Sequence, residues 1–299
     1  MKVSVYEIRS GLSTMPREHA AAFLGAVEAA LGGELAQVSL EAFLREPFGL
    51  IYVSSGGSEG LFLQQFSSYD KPCYLLASGG SNSLAASMEI LAYLRGHGRK
   101  GEILHGGAEA VAARIRTLYR AARAKERLTG LRLGVVGKPS DWLIASELDR
   151  GACSRKLGIE IVDIPMDELL EGFRHAPPIE NEWTRQLRST GYDAAEMDKA
   201  LAIYSALKAI VSKHSLGAVS VRCFDLLGSV CTTGCLALAI LNAEGVYAGC
   251  EGDVPSTLSM AILGALSGKP VFMCNPSRID TQAGHIVLAH CTLPLNMPR

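Results

Sequence analysis

The feature that most constrains the fold is a repeated order of short apolar run, glycine-rich loop and helical pattern. Residues 47–55 read PFGLIYVSS and lead into the loop GGSEG, and residues 72–78, PCYLLAS, lead into the loop GGSNS. The second loop is followed by LAASMEILAYLRGHG, which has helical spacing. Because helices that alternate with buried strands cover the faces of a parallel sheet, this order predicts an open parallel α/β sheet.

A long helical stretch with a basic end, residues 107–128, is predicted to close a first domain of residues 1–126, in which Pro16 opens the first helix. The run LRLGVVG at 131–137 then begins a second series of strands and helices, so residues 127–299 are predicted to form a second domain. The predicted fold class is α/β, with two open parallel-sheet, Rossmann-like α/β/α domains.

Composition argues against several classes of partner. The chain has 299 residues, of which 48% are hydrophobic and 20% charged, and its net charge is −1. Nothing in that balance favours nucleic acid or an anionic membrane as a partner. No apolar run reaches the roughly 18 residues of a membrane span, and the first residues lack the features of a secretory signal. The eight cysteines lie mostly inside apolar runs, which favours reduced thiols and a cytoplasmic location.

The two glycine-rich loops of the first domain are candidate binding loops, because the ligand crevice of an open α/β sheet lies at the carboxyl ends of its strands. Glu59 in the first loop can accept hydrogen bonds from sugar hydroxyls, and Ser81 and Asn82 in the second loop stand at the start of a helix, where either side chain can cap it. The alternative is that the glycines only make tight turns and that Glu59 is a solvated loop charge.

Four short apolar runs in the second half are predicted to be strands of one open sheet. They are AVSVRCF (218–224), VYAGC (246–250), PVFMC (270–274) and HIVLAHC (285–291). The stretch GSVCTTGCLALAIL between the first two is predicted to be a crossover helix. Three of the runs end at or beside charged residues, so these side chains are expected to meet at one edge of the sheet.

The charged residues at that edge are Asp225, Glu251, Asp253 and His290. An ionised carboxylate beside buried apolar surface costs several kcal/mol unless it is paired or holds a metal. Two carboxylate positions and an imidazole therefore predict a shared cation. Oxygen ligands with one nitrogen suit Mn²⁺ or Mg²⁺ better than metals that prefer thiolates.

The segments CEGD (250–253), STLSMAILGALSGKP (256–270) and His290-Cys291-Thr292 resemble those of the L-fucose isomerase family. The resemblance extends through GGSEG, SGGSNSLAASMEILAYL and GKPSDWLIAS over nearly the whole chain. It implies a metal-dependent aldose–ketose isomerase that acts on a sugar such as L-fucose or arabinose, holds Mn²⁺ and forms a homo-oligomer. Such proteins continue past the histidine into a largely β-structured region. Because this sequence stops at Arg299, a fragment, a shortened relative or a site completed by another chain is expected.

The resemblance also implies roles for individual residues. The expected metal ligands are Asp225, Asp253 and His290. The family usually has Glu at the position of Asp225. The proton between C1 and C2 of the sugar is expected to be moved, through an enediol, by Asp225 and Asp253. Glu251 is a close neighbour of Asp253 or its substitute in this role. Arg222 and Trp142 are expected to contact the sugar, together with Glu59, Ser81 and Asn82. Since Asp225 is one methylene shorter than Glu, weaker or altered activity is expected.

Other readings stay open. A sulfur-ligated Zn²⁺ or iron–sulfur site made of Cys223, Cys231, Cys235 and Cys250 is disfavoured, because only Cys231 and Cys235 approach the usual paired spacing. ATP binding is disfavoured because Arg132 stands where a phosphate-binding loop needs glycine. A non-catalytic carbohydrate-binding protein and an inactive fragment of an isomerase remain as alternatives.

Overall fold

The computed structural model describes residues 1–11, 13 and 17–297, so Pro16 lies outside the described residues. The chain separates into two compact units, Met1–Arg123 and Ala124–Arg299. Each unit has its own parallel sheet flanked by helices, which confirms the predicted α/β fold class. No helix in the described ranges combines the length and apolar character needed to cross a bilayer.

Unit 1 contains a five-stranded parallel sheet in the order β2-β1-β3-β4-β5. Its strands are β1 Lys2–Ile8, β2 Glu34–Gln37, β3 Gly49–Val53, β4 Cys73–Ala77 and β5 Gly101–Leu104. Its helices are α1 Arg17–Leu31, α2 Leu40–Arg45, α3 Glu59–Phe66, α4 Ser83–Gly96 and α5 Ala108–Leu128, the last of which continues into unit 2. The central strand β3 is buried along its whole length, as expected for a parallel sheet covered on both faces.

Unit 2 contains a four-stranded parallel sheet in the order β7-β6-β8-β9. Its strands are β6 Arg132–Val136, β7 Glu160–Ile164, β8 Ala218–Val221 and β9 Tyr247–Cys250. Its helices are α6 Arg150–Leu157, α7 Met166–His175, α8 Glu182–Arg188, α9 Ala194–Lys213, α10 Asp225–Val230, α11 Cys235–Ala243 and α12 Val254–Ser267.

Helix α9 forms much of the core of unit 2. Asp193 caps its first turn by accepting a hydrogen bond from the backbone N–H of Glu196 at 3.0 Å. Its apolar side chains are buried against those of β8 and α11. The buried residues of α9 include Met197, Leu201, Tyr204, Leu207, Ile210 and Val211.

The outer edge of β9 is closed by side chains. Asn242 Nδ2 donates to the carbonyl of Ala248 at 2.7 Å, and its Oδ1 accepts from the Ala248 N–H at 2.9 Å. The next outward N–H, that of Cys250, points at the sulfur of Met273 at 3.3 Å. The edge strand therefore leaves neither of these N–H groups without a partner.

Three predictions about elements of unit 2 are wrong. Residues 271–274 form no strand, although Met273 lies along β9. The run HIVLA forms β11, His285–Ala289, which pairs antiparallel with β10, Asn275–Asp280, in a separate two-stranded ribbon with mostly exposed residues. The predicted crossover helix is broken at Cys231, whose φ of 53° ends α10 before α11 begins.

In the segment GKPSDWLIAS, residues 141–146 form turns, and α6 begins only at Arg150. Asp149 caps α6 by accepting a hydrogen bond from the N–H of Ala152 at 2.9 Å. The segment therefore stays a loop at the carboxyl end of β6.

Candidate functional site

Three loops at the carboxyl ends of β6, β8 and β9 are joined by backbone hydrogen bonds. The Arg222 N–H donates to the Val136 carbonyl at 3.1 Å, and the Gly252 N–H donates to the Val221 carbonyl at 3.0 Å. The Ser140 N–H donates to the Glu251 carbonyl at 2.9 Å. These bonds hold the predicted site residues of unit 2 on one edge of its sheet.

Gly252 makes the close approach of these loops possible. Its φ is +68°, and a Cβ atom on it would lie 2.4 Å from the carbonyl oxygen of Lys138. The preceding Glu251 also has a positive φ, 64°, which an L-residue with a side chain rarely adopts. Backbone strain of this kind concentrates at functional sites, so the turn after β9 is a candidate site by its geometry as well as by its charge.

Arg222 ties the three loops together through a side chain that is only 11% exposed. Its guanidinium donates to Asp141 Oδ2 at 2.8 Å, to Asp225 Oδ1 at 3.0 Å and to the Pro139 carbonyl at 2.6 Å. The hydrogen bond from Arg222, followed by that from Lys138, lowers the pKa of Asp141 to about 2. Hydrogen bonds to Asp141 and Asp225 raise the pKa of Arg222. The substrate contact of Arg222 stays a prediction, since these partners already use its guanidinium.

Glu251 is held by Trp142, whose indole Nε1–H donates to Glu251 Oε2 at 2.8 Å. Trp142 is 54% exposed and meets the ring of Phe224 edge-on, with centroids 5.4 Å apart. A partly exposed carboxylate is thus fixed beside two exposed aromatic rings. This arrangement suits a sugar, which offers hydroxyl groups to the carboxylate and C–H surface to the rings.

Asp253 and Asp225 are engaged within the protein. Asp253 is buried and caps α12, accepting hydrogen bonds from both the N–H and the hydroxyl of Ser256 at 2.8 Å. Asp225 is the exposed first residue of α10 and pairs with Arg222. Neither belongs to a group of three potential metal ligands among the described residues. The roles of Asp225 and Asp253 as Mn²⁺ ligands and acid–base groups therefore stay predictions, and this donor arrangement does not itself form a shell for that ion.

The described residues do hold one group of metal-ligating side chains in unit 2, namely Cys250, His290 and Cys291. One ligand atom from each lies within 4.8 Å of the other two. His290 Nδ1 is 3.7 Å from Cys291 Sγ and 3.0 Å from the hydroxyl of the buried Thr292. The ribbon of β10 and β11 thus brings His290 to the end of β9, but beside cysteines rather than beside Asp225 and Asp253.

Two further thiols border this group and affect its protonation. The neighbouring Cys235 and Cys250 lower the pKa of Cys291. The proximity of Cys291 raises the pKa of Cys235, and the proximity of Cys223 and then Cys291 raises the pKa of Cys250. Sequence reasoning missed this cluster because it grouped cysteines by spacing. Cys223 follows β8 and Cys250 ends β9, and these strands are neighbours in the sheet. This shared position at one sheet edge is the signal that could have indicated the cluster.

The predicted binding residues of unit 1 come together around one cavity of about 580 Å³. Glu59, Ser81 and Asn82 line it, and the loops are joined by a hydrogen bond from the Gly56 N–H to the Ser81 carbonyl at 2.7 Å. Ser81 and Asn82 have φ values of 50° and 57°, a left-handed conformation that is uncommon for serine and better tolerated by asparagine. Asn82 is the N-cap residue of α4, although its side chain makes no capping bond. Their contact with substrate stays a prediction.

No family model matches the chain. Curated relatives do match it, and several of these are named sulfoquinovose isomerase. The protein from Alkalicoccus urumqiensis is 24% identical over 277 residues, which cover 84% of this chain and 62% of the relative. The protein from Clostridium sp. (strain MSTE9) is 28% identical over 61% of this chain and 42% of the relative. That from Priestia megaterium is 22% identical over 81% of this chain and 58% of the relative.

These names correct the sequence-based assignment to the L-fucose isomerase family, which is wrong, because the matching relatives bear the name of a different family. The chain spans no more than 62% of the length of these relatives. The similarity supports the broader expectation of sugar isomerase chemistry and gives no support to L-fucose or arabinose as substrate.

Proposed function

We propose that this protein acts in aldose–ketose isomerisation of sulfoquinovose, a sugar that carries a sulfonate group. The observation that carries this proposal is the similarity to sulfoquinovose isomerases across 84% of the chain. The strained, polar turn after β9 supports it, since it fixes a carboxylate at the edge of a parallel sheet where such folds bind their ligands.

Isomerisation moves a proton between C1 and C2 of the open-chain sugar through an enediol, so a carboxylate must take up and return that proton. Glu251 is the group we assign to this step. It is partly exposed, whereas Asp253 is buried in a helix cap. The indole N–H of Trp142 fixes the orientation of the Glu251 carboxylate and leaves its other oxygen available to substrate.

A divalent ion such as Mn²⁺ or Mg²⁺, when bound, would stabilise negative charge on the substrate oxygens. The chain's own residues contribute in a different way. Arg222 holds the loop that carries Trp142 through its bonds to Pro139 and Asp141, and so positions the partner of Glu251. Asp225, Asp253 and His290 form no common group of ligands among the described residues, so their role in holding Mn²⁺ stays a prediction from the sequence. Assembly into a homo-oligomer is part of the proposal.

The cavity of unit 1 is assigned to binding of sugar hydroxyls. Its lining of hydroxyl, amide and carboxylate groups from Ser55, Glu59, Ser81 and Asn82 offers both donors and acceptors. A volume of about 580 Å³ is of the size that small-molecule sites have. This cavity also favours a second candidate function, binding of a carbohydrate without chemistry.

The test is conversion of sulfoquinovose to the corresponding ketose, followed by NMR with Mn²⁺, with Mg²⁺ and with chelator. Glu251→Gln keeps an oxygen that can accept from Trp142 but removes the base, so we expect turnover to fall by about 100-fold or more. Wild-type protein that converts none of the sugar under any of these conditions contradicts the isomerase proposal.

Two matched variants sharpen the assay. Asp253→Asn keeps a side chain that caps helices well but removes the charge and one of the two acceptors of Ser256, so a loss of turnover in the folded variant that exceeds the loss in Ser256→Ala reports a role for that carboxylate. Ser256→Ala removes a partner of Asp253 and leaves the carboxylate in place. Calorimetric titration with sulfoquinovose separates the second candidate, because binding with no turnover supports a carbohydrate-binding protein.

A further inference from the structure

We propose that Cys250, His290 and Cys291 form a binding site for a thiophilic divalent ion of the Zn²⁺ class. The inference is independent of the proposed isomerase activity. It rests on the arrangement of the three side chains and on the chemistry of their donor atoms.

The three ligand atoms come from two parts of unit 2. Cys250 is the last residue of β9, while His290 and Cys291 directly follow β11. Their donor atoms lie within 4.8 Å of one another, so small side-chain rotations bring all three to a common ion. In tetrahedral zinc sites the metal–sulfur distance is about 2.3 Å and the metal–nitrogen distance about 2.0 Å.

The surroundings support a site that is held in place. The hydroxyl of Thr292, a fully buried residue, lies 3.0 Å from His290 Nδ1 and fixes the imidazole ring. The buried Cys250 anchors the inner side, while Cys291 is exposed and leaves a path for an ion to enter. The neighbouring thiols of Cys223 and Cys235 add further sulfur around the group.

The donor set selects the class of metal. Two sulfurs and one imidazole nitrogen suit Zn²⁺, whereas Mn²⁺ and Mg²⁺ prefer carboxylate, carbonyl and water oxygens. This assignment differs from the Mn²⁺ predicted from Asp225, Asp253 and His290.

The experiment uses the 299-residue protein, reduced and freed of metal, with Co²⁺ as the probe. Co²⁺ bound to thiolates gives an intense sulfur-to-cobalt charge-transfer absorption, which carboxylate ligands do not produce. We expect this band to saturate at one equivalent of Co²⁺ and to be abolished by one equivalent of Zn²⁺, while excess Mn²⁺ leaves it unchanged.

Variants locate the ligands. Cys291→Ser changes an exposed residue and Cys250→Ser a buried one, and each is expected to remove most of the band. Cys231→Ser is the matched control, because Cys231 is an exposed cysteine of the same unit outside the group, and it is expected to keep the full band. Circular dichroism confirms that each variant is folded.

Several outcomes overturn the proposal. One is absence of the band in protein whose eight thiols are shown to be free. Others are a band that survives in the folded Cys291→Ser variant, and a mass 2 Da lower that shows a disulfide within the group under the reducing conditions of the titration. Since the band is measured without substrate, failure of the isomerase assay leaves the result of this test unaffected.

Discussion

At the scale of single residues, the turn after β9 depends on Gly252. Its positive φ and its contact with the Lys138 carbonyl allow the loop after β6 to lie against the loop after β9. The segment CEGD is identifiable in the sequence as a polar turn after a strand. The reason for its glycine is a neighbour more than 100 residues away in the chain, which no local pattern reveals.

We predict that Gly252→Ala lowers the free energy of unfolding by about 3 kcal/mol or more. The left-handed conformation costs an alanine roughly 1–2 kcal/mol, and the new Cβ would also overlap a backbone oxygen that has little freedom to move. Urea denaturation followed by tryptophan fluorescence measures the change.

Gly268→Ala is the matched control for this substitution. Gly268 has nearly the same φ, +65°, but a Cβ atom there meets nothing within 4 Å. We therefore expect it to cost only about 1–2 kcal/mol, from the left-handed conformation alone. Equal losses in the two variants would show that the contact with Lys138 does not matter.

The site residues show how far single positions can be predicted from sequence. Acidic residues after apolar runs correctly indicate the polar edge of the unit 2 sheet. The hydrogen bonds at this edge could not be predicted in the same way, because Arg222 and Asp141 are 81 positions apart and Trp142 and Glu251 are 109 apart. Spacing along the chain carries no information about such pairs. The partners of Asp225 and Asp253 are local, since Arg222 and Ser256 each lie three positions away, but the sequence pattern did not show that these contacts would engage the two carboxylates.

At the scale of elements, β9 is an edge strand that is closed by side chains instead of by another strand. Asn242 makes two hydrogen bonds to Ala248, one through each side of its amide. Both residues are buried, so water cannot replace these bonds in the folded protein. The end of α11 and β9 therefore hold each other in register.

We predict that Asn242→Ala lowers the free energy of unfolding by about 2–4 kcal/mol, because it leaves a buried N–H and a buried carbonyl without partners. The change is measured by chemical denaturation, with hydrogen exchange of the Ala248 amide as a local readout. Asn296→Ala removes a single bond from an exposed side chain to the Ala243 carbonyl and is expected to cost less than about 0.5 kcal/mol. An unprotected Ala248 amide in the wild type would contradict the assignment.

The elements themselves were predictable where burial and periodicity agree, as in β3, β4, α4 and α9. The prediction failed for residues 271–274, since an apolar run of strand length can also cover a sheet edge through one side chain, as Met273 does. It failed for β11 because four apolar residues after His285 look the same in a parallel sheet and in an exposed ribbon. Pairing partners decide between these cases, and they are not encoded locally.

At the scale of the whole molecule, exposed ion pairs occur in both units. In each unit an arginine lowers the pKa of its carboxylate partner, so both pairs lose their contribution to stability in acid. A hydrogen bond from Arg114 lowers the pKa of Glu102 in unit 1, and one from Arg150 lowers the pKa of Asp163 in unit 2. A carboxyl whose pKa is lower in the folded than in the unfolded protein binds fewer protons when folded. Its contribution to stability is therefore present above its unfolded pKa and is lost as pH falls through the folded value.

We predict that the melting temperature is nearly constant from pH 7 to pH 5 and falls below about pH 4, where unfolded carboxyl groups take up protons. Differential scanning calorimetry from pH 7 to pH 3 measures this. Asp163→Asn and Glu102→Gln remove one lowered pKa each, so each variant is expected to show a shallower fall. A fall as steep in both variants as in the wild type would assign the acid sensitivity to other groups.

The division into two α/β units was predictable because each strand, loop and helix carries its own signal. The identity of the sugar was not, because residues that match a fold are shared by isomerases with different substrates. Sulfoquinovose is proposed from the similarity to proteins of that name, and the lining of the unit 1 cavity offers side chains to change when this proposal is tested.

The bond between Trp142 and Glu251 has a practical consequence. The chain has only two tryptophans, and the other, Trp183, packs partly buried against the core of unit 2. In a Trp183→Phe background, the tryptophan fluorescence comes from Trp142 alone. This indole is half-exposed, and its N–H donates a hydrogen bond to Glu251, the proposed base. A ligand that displaces the Glu251 carboxylate changes the wavelength and the intensity of the Trp142 emission. Ligand binding at this site can therefore be followed in real time without a fluorescent label.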